Sequence, residues 1–214
     1  DILRAGHGYW LYWPGDYVAP PEDTYLIIDL SVGPGATSYP VSYRSTPPAY
    51  GWTDEYKTTK LVLRKIPAGS FMMGSSEIET GHGADEAMHQ VTLSRDYYLG
   101  VFELTRKQWE LVMGSVPGPD LGDNNPMDQA SWDEIRGGAW PGLPAGNGLP
   151  ADLSFMETLR ARTALNFDLP TEAQWEYACR AETTTALNSG KDLEEEEVCA
   201  NLDLLANYGS QNDR

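Results

Sequence analysis

Cysteine, histidine and basic side chains are all scarce in this 214-residue chain, and it has no long apolar run. Its two cysteines, Cys179 and Cys199, lack CxxC spacing and have no histidine beside them, which argues against a zinc site. One disulfide and two free thiols both remain open. Fifteen basic residues against 32 acidic ones give a net charge of -17, a field that repels phosphate backbones and anionic membrane surfaces. No nucleic-acid partner is expected. The acidity suits divalent cations, yet without clustering it reads first as a solvated surface. The longest apolar pieces, Tyr25–Leu30 and Leu61–Ile66, are strand-sized, so no membrane span is expected and the chain reads as soluble. It starts at Asp1, without the basic, apolar and small-residue pattern of a signal peptide, and is expected to be a piece excised or processed from something longer.

What the chain does have is concentrated in Phe167-Asp-Leu-Pro-Thr-Glu-Ala-Gln-Trp-Glu-Tyr-Ala-Cys-Arg180. Pro170 donates no backbone hydrogen bond, Thr171 can accept one from an orphan amide, and Gln174 can reach back to the Thr171 amide, so a helix starts here. On a 3.6-residue wheel Glu172, Glu176 and Arg180 form one narrow polar stripe, while Ala173, Trp175, Tyr177, Ala178 and Cys179 spread over the rest. The pattern predicts a mostly buried helix that acts as a core post rather than as a carrier of catalytic groups.

Residues 1–55 are rich in Tyr, Pro and Gly and read as a β-rich segment, with strands at Gly8–Trp13 and Thr24–Leu30. Tyr9, Trp10, Tyr12 and Trp13 read first as small-core packing and second as a sugar-stacking platform. Pro40–Asp54 has no periodicity and reads as a connection, which puts a domain boundary near residue 56. Strand-like runs follow at Leu61–Ile66, Gly69–Gly74, His89–Leu93 and Asp96–Leu104. The Ser/Thr-x-x-Glu/Gln signature at Thr105/Gln108, Ser131/Glu134 and Ser154/Glu157 predicts three more capped helices, and Gly137–Pro150 reads as an inserted loop. Strands and short helices mixed with long loops predict an α+β domain.

Specific residues then carry a resemblance. Ile66-Pro-Ala-Gly-Ser-Phe-Met-Met-Gly74, Asp85-Glu-Ala-Met-His-Gln-Val-Thr-Leu93, Phe102-Glu-Leu-Thr105 with Trp109, Pro126, Ala130-Ser-Trp132, Leu169-Pro-Thr-Glu-Ala-Gln-Trp-Glu-Tyr-Ala178 and Ala200-Asn201 occur in the order found in the formylglycine-generating enzyme, or sulfatase-modifying factor, family. From about residue 60 onward the chain resembles the N-terminal part of that domain. The resemblance implies a C-type-lectin-like fold over 56–214, truncated at its C-terminal end, behind a β-rich segment, 1–55, of unknown role. It also implies a bacterial, exported protein, periplasmic or extracellular.

Enzymes of the family resemble copper-dependent oxidases that convert a sulfatase cysteine to formylglycine with a cysteine pair near the C-terminal end of the domain. That pair is not in this chain, which is expected to be inactive as given, so no catalytic residue is assigned. A sulfatase or another protein substrate is the implied partner. The family's structural calcium site carries over in part, with the Asn201 side chain and the Leu202 carbonyl as ligands, and the remaining carboxylate is left open among Asp203, Asn207 and Asp213. Asn201 can equally be a residue that closes a turn. His89 with Asp85 and Glu86 is read as a hydrogen-bonded loop anchor before a metal site. The alternatives are a non-catalytic lectin-like domain that binds protein or carbohydrate, and a non-haem iron oxidase of the same superfamily.

Overall fold

The computed structural model describes the backbone of residues 12–13 and residues 23–137, 154–194 and 199–205. Its strands are β1 (Tyr12–Trp13), β2 (Tyr25–Asp29), β3 (Val41–Arg44), β4 (Lys60–Ile66), β5 (Gly69–Met73), β6 (His89–Leu93) and β7 (Tyr97–Gly100). Its helices are α1 (Arg106–Met113), α2 (Trp132–Arg136), α3 (Phe155–Thr163), α4 (Glu172–Arg180) and α5 (Ala200–Asp203), with a 3₁₀ turn at Asp54–Lys57. Short helices with antiparallel sheets make this an α+β chain. It divides into two compact units, a larger one from the described parts of His7–Ile66 and Asp96–Leu169, and a smaller one from Pro67–Arg95 and the described part of Pro170–Arg214.

The larger unit is built on a sheet in the order β1-β7-β4-β2-β3. Leu26 pairs with Leu63 and Ile28 with Leu61, so these four share one face. That face meets Trp109, Val112, Ile135, Phe155, Met156 and Leu159 from the helices. Ile27 pairs with Val62 on the opposite face, where Tyr25, Trp52 and Tyr56 close a second, smaller core. Burial on both faces explains why β2 reads as an unbroken apolar run instead of an alternating one. Trp109 of α1 stacks on Phe155 of α3, with ring centroids 5.1 Å apart and planes 11° apart. The offset contact adds to the large area that both rings bury.

Polar groups complete this core. The Gln108 amide closes the capping box of α1 by accepting the Thr105 N–H, then donates to the Lys60 carbonyl at 2.7 Å and the Tyr56 carbonyl at 3.3 Å. The buried Arg106 guanidinium donates to Asp128 Oδ1 at 2.7 Å and to the Pro117 and Pro119 carbonyls, which pins the loop after α1. Arg136 grips Asp168 through two parallel bonds of 2.7 and 3.0 Å.

One expectation changes here. The stretch from Pro40 holds an edge strand, β3, because β2 offers a free side and Val41 and Tyr43 turn inward while Ser42 and Arg44 face water. β2 and β3 precede residue 56 and β4 follows it, and all three lie in one sheet. Most of the Gly137–Pro150 loop lies outside the described residues, as do Tyr9 and Trp10 and the side chains of Tyr12 and Trp13.

Candidate functional site

The smaller unit is organised by α4. Thr171 accepts the Gln174 amide, and Gln174 Oε1 accepts the Thr171 amide at 2.9 Å, so the expected capping box is formed. Enclosure is less than the wheel suggests: no residue of α4 is fully buried, and Trp175 and Tyr177 are half-buried. The reason is local. In its own unit α4 lies against a two-stranded hairpin, which covers less of a helix than a full sheet does.

The polar stripe does more than face solvent. Glu176 Oε1 accepts the Gly74 amide at 2.9 Å, and Arg180 Nη2 donates to the Gly74 carbonyl at 2.7 Å. The two side chains also pair with each other at 2.7 Å, one turn apart. One carboxylate and one guanidinium thus take both backbone groups of a single residue at the end of β5. Gly74 has φ +95°, and a Cβ there would lie 2.5 Å from the Glu86 carbonyl oxygen, so only glycine fits. At the other end of β5 the Tyr177 hydroxyl fills the space a Cβ on Gly69 would need, and its ring lies 5.2 Å from that of Phe71.

Beyond Gly74 the chain turns back through a hydrogen-bonded anchor. Buried Ser75 donates its hydroxyl proton to Glu86 Oε2 at 2.6 Å, and its amide donates to the Glu86 carbonyl at 3.0 Å. With that proton used, His82 Nδ1 is the donor in its 2.7 Å bond to Ser75 Oγ. The Ser75 bond, helped by the Gly83 amide, holds the Glu86 carboxyl below its ordinary value. His89 Nδ1 donates instead to the Ala87 carbonyl at 2.9 Å, away from Glu86. Asp85, Glu86 and His89 therefore do not converge, and no cluster of three His, Cys, Asp or Glu side chains suited to a metal occurs among the described residues.

Among the described residues neither Cys179 nor Cys199 is in a disulfide. Burial, reinforced by Glu176 and opposed by Arg180, pushes the Cys179 thiol above its ordinary value. Cys199 is buried just ahead of α5. Asn201 and Leu202 lie in α5, where Asn201 Nδ2 donates to the Asp192 carbonyl at 3.1 Å. The Leu202 carbonyl accepts the amides of Leu204 and Leu205. Asn207 and Asp213 lie outside the described residues. Sequence reasoning missed Ser75 and Gly74; the only available signal was the glycine that closes the Gly69–Gly74 run.

Residues 53–213 match the family model described as Sulfatase-modifying factor enzyme 1-like domain. The chain is also similar to a protein called Chaperone protein LppX from Paenibacillus barcinonensis, 30% identical over 104 residues that cover 41% of this chain and 37% of that relative. It thus spans little more than a third of that relative's length. No solved structure matches it.

The clamp on Gly74 yields a direct expectation. Glu176→Ala removes the acceptor of the Gly74 amide and leaves Arg180 without its partner, which should cost on the order of 2–3 kcal/mol in equilibrium unfolding. A loss below about 0.5 kcal/mol, the level of an ordinary surface substitution, would show that the clamp contributes little.

Proposed function

This chain belongs to the sulfatase-modifying factor enzyme 1-like domain family, and on that premise we propose that it is a formylglycine-generating-enzyme-like domain fragment, related to oxidases that convert a protein cysteine to formylglycine. Its fold is read as the C-type-lectin-like arrangement of that family, in an exported protein whose partner is a sulfatase or another cysteine-bearing protein. The observation that carries this reading is the contact between two separated pieces of the family pattern. Gly74, which ends the Gly-Ser-Phe-Met-Met-Gly run, and Glu176, within the Leu-Pro-Thr-Glu-Ala-Gln-Trp-Glu-Tyr-Ala run, are 102 positions apart and bonded to each other.

Copper in such oxidases needs a soft thiolate pair, and these 214 residues do not provide one. Burial pushes the Cys179 thiol above its ordinary value, and Cys199 is buried. No oxidative step is therefore assigned to this chain, and the second reading, a non-catalytic lectin-like domain that binds protein or carbohydrate, rests on the same two thiols. An aldehyde-reactive probe distinguishes the cases. Incubated with Cu(I), dioxygen and a cysteine-containing sulfatase peptide, the chain should leave the peptide cysteine unchanged. Aldehyde formation that depends on the chain would show that it carries its own catalytic thiols.

Structural calcium belongs to the same proposal, with Asn201 and Leu202 as ligands. Because Asn201 Nδ2 is turned to the Asp192 carbonyl, its Oδ1 is the atom left to face a cation. The Leu202 carbonyl would first have to release one of its two amide partners. The ion would supply a cross-link for loops that lack a hydrogen-bond ladder, and no chemistry. Calcium that binds only the folded chain must raise the unfolding midpoint. A rise with millimolar Ca²⁺ is expected, lost in Asn201→Ala; an unchanged midpoint in the parent chain would remove the assignment.

A further inference from the structure

The last rung of the β5–β6 ladder sets Met73 opposite His89. Directly opposed residues of an antiparallel pair send their side chains to one face with Cβ atoms about 4.5–5.5 Å apart, so a thioether and an imidazole meet at this end of the hairpin. His89 is exposed and Met73 half-buried, which leaves the pair within reach of solvent. The next rung on the same face, Phe71 opposite Val91, gives it an apolar floor. Met72 does not share this face: it pairs with Gln90 and lines a separate cleft together with Met88.

The tautomer of His89 is set by its backbone. A carbonyl oxygen can only accept, so the 2.9 Å bond between Nδ1 and the Ala87 carbonyl places a ring proton on Nδ1. In the neutral ring Nε2 then carries the lone pair. An imidazole whose other nitrogen is held by a backbone carbonyl is oriented as metal-bound histidines are.

The donor set selects the ion. Thioether sulfur is a soft ligand that hard Ca²⁺ and Mg²⁺ do not take. Zn²⁺ favours a tetrahedral set drawn from Cys, His, Asp and Glu, and no group of three such side chains suited to a metal occurs among the described residues. Glu86, close to His89 in sequence, is already engaged by the Ser75 hydroxyl at 2.6 Å. Cu(I) accepts thioether and imidazole together and is satisfied by few ligands. We propose that Met73 Sδ and His89 Nε2 form a surface Cu(I) site at the end of the β5–β6 hairpin. The site uses neither cysteine, carries out no redox step, and stands whether or not the domain is catalytic.

The test uses the full chain labelled with ¹³C at its methionine methyl groups and titrated with Cu(I) under anaerobic, ascorbate-containing conditions while NMR spectra are recorded. The Met73 methyl signal should shift and saturate together with the His89 ring signals. In His89→Phe the Cu(I) concentration that half-saturates the Met73 shift should rise about tenfold or more, while the thermal midpoint, set by groups other than this exposed ring, stays unchanged. The double variant Met72→Leu, Met88→Leu should retain the parent response, because those thioethers lie on the other face. Both cysteines are present in every variant, so thiol binding is common to all and cancels from the comparison. A Met73 signal that stays in place under excess Cu(I) overturns the proposal. So does an equal shift in His89→Phe, or its loss in the Met72, Met88 double variant.

Discussion

The clamp that Glu176 and Arg180 place on the backbone of Gly74 is the contact on which the smaller unit depends. A lone two-stranded hairpin is marginal in water, so β5 and β6 need a cover, and α4 is the helix in their unit that lies against β5. Glu176 and Arg180 are only 21% and 17% exposed, so each must have its polar groups satisfied, and they satisfy each other together with one peptide unit on each side of Gly74. The backbone accepts this only with a left-handed residue at position 74, because the Glu86 carbonyl occupies the place of a Cβ. The same turn brings Ser75 to Glu86 and His82. One glycine thus sets the direction of the strand end, the seat of the helix and the start of the following anchor.

The larger unit solves a different problem. Its sheet is apolar on both sides, so α1, α2 and α3 must cover one face while the Tyr25, Trp52 and Tyr56 cluster covers the other. Helices packed this tightly bury polar groups at their ends, and the side chains there answer twice. Gln108 completes a cap and bonds the Tyr56 and Lys60 carbonyls, and Arg106 pairs with Asp128 and holds the next loop through the Pro117 and Pro119 carbonyls. Half-satisfied groups at such depth would cost more than the caps contribute.

What was legible in the sequence was short-range. The boxes at Thr105, Ser131 and Thr171 need residues only three apart, and all three close as read. Ser154 accepts the Glu157 amide but hydrogen-bonds the Glu157 carboxylate with its own hydroxyl. β2, β4 and β6 were visible because β-branched and aromatic residues cluster there. β3 was not, since Val-Ser-Tyr-Arg becomes a strand only because β2 lies beside it. The depth of α4 was overstated for a related reason: a helical wheel gives the apolar arc, and the partner gives the cover. The meeting of Gly74 with α4 spans 102 positions, and no local pattern encodes it.

Native-state hydrogen exchange at the Gly74 amide tests the clamp most directly. If Glu176 accepts that amide in the folded chain, its protection should equal that of the paired amides of β5 and β6, and Glu176→Ala should erase it. A Gly74 amide that exchanges at the rate of an open loop while β5 and β6 remain protected would show that α4 is not what holds the end of the strand.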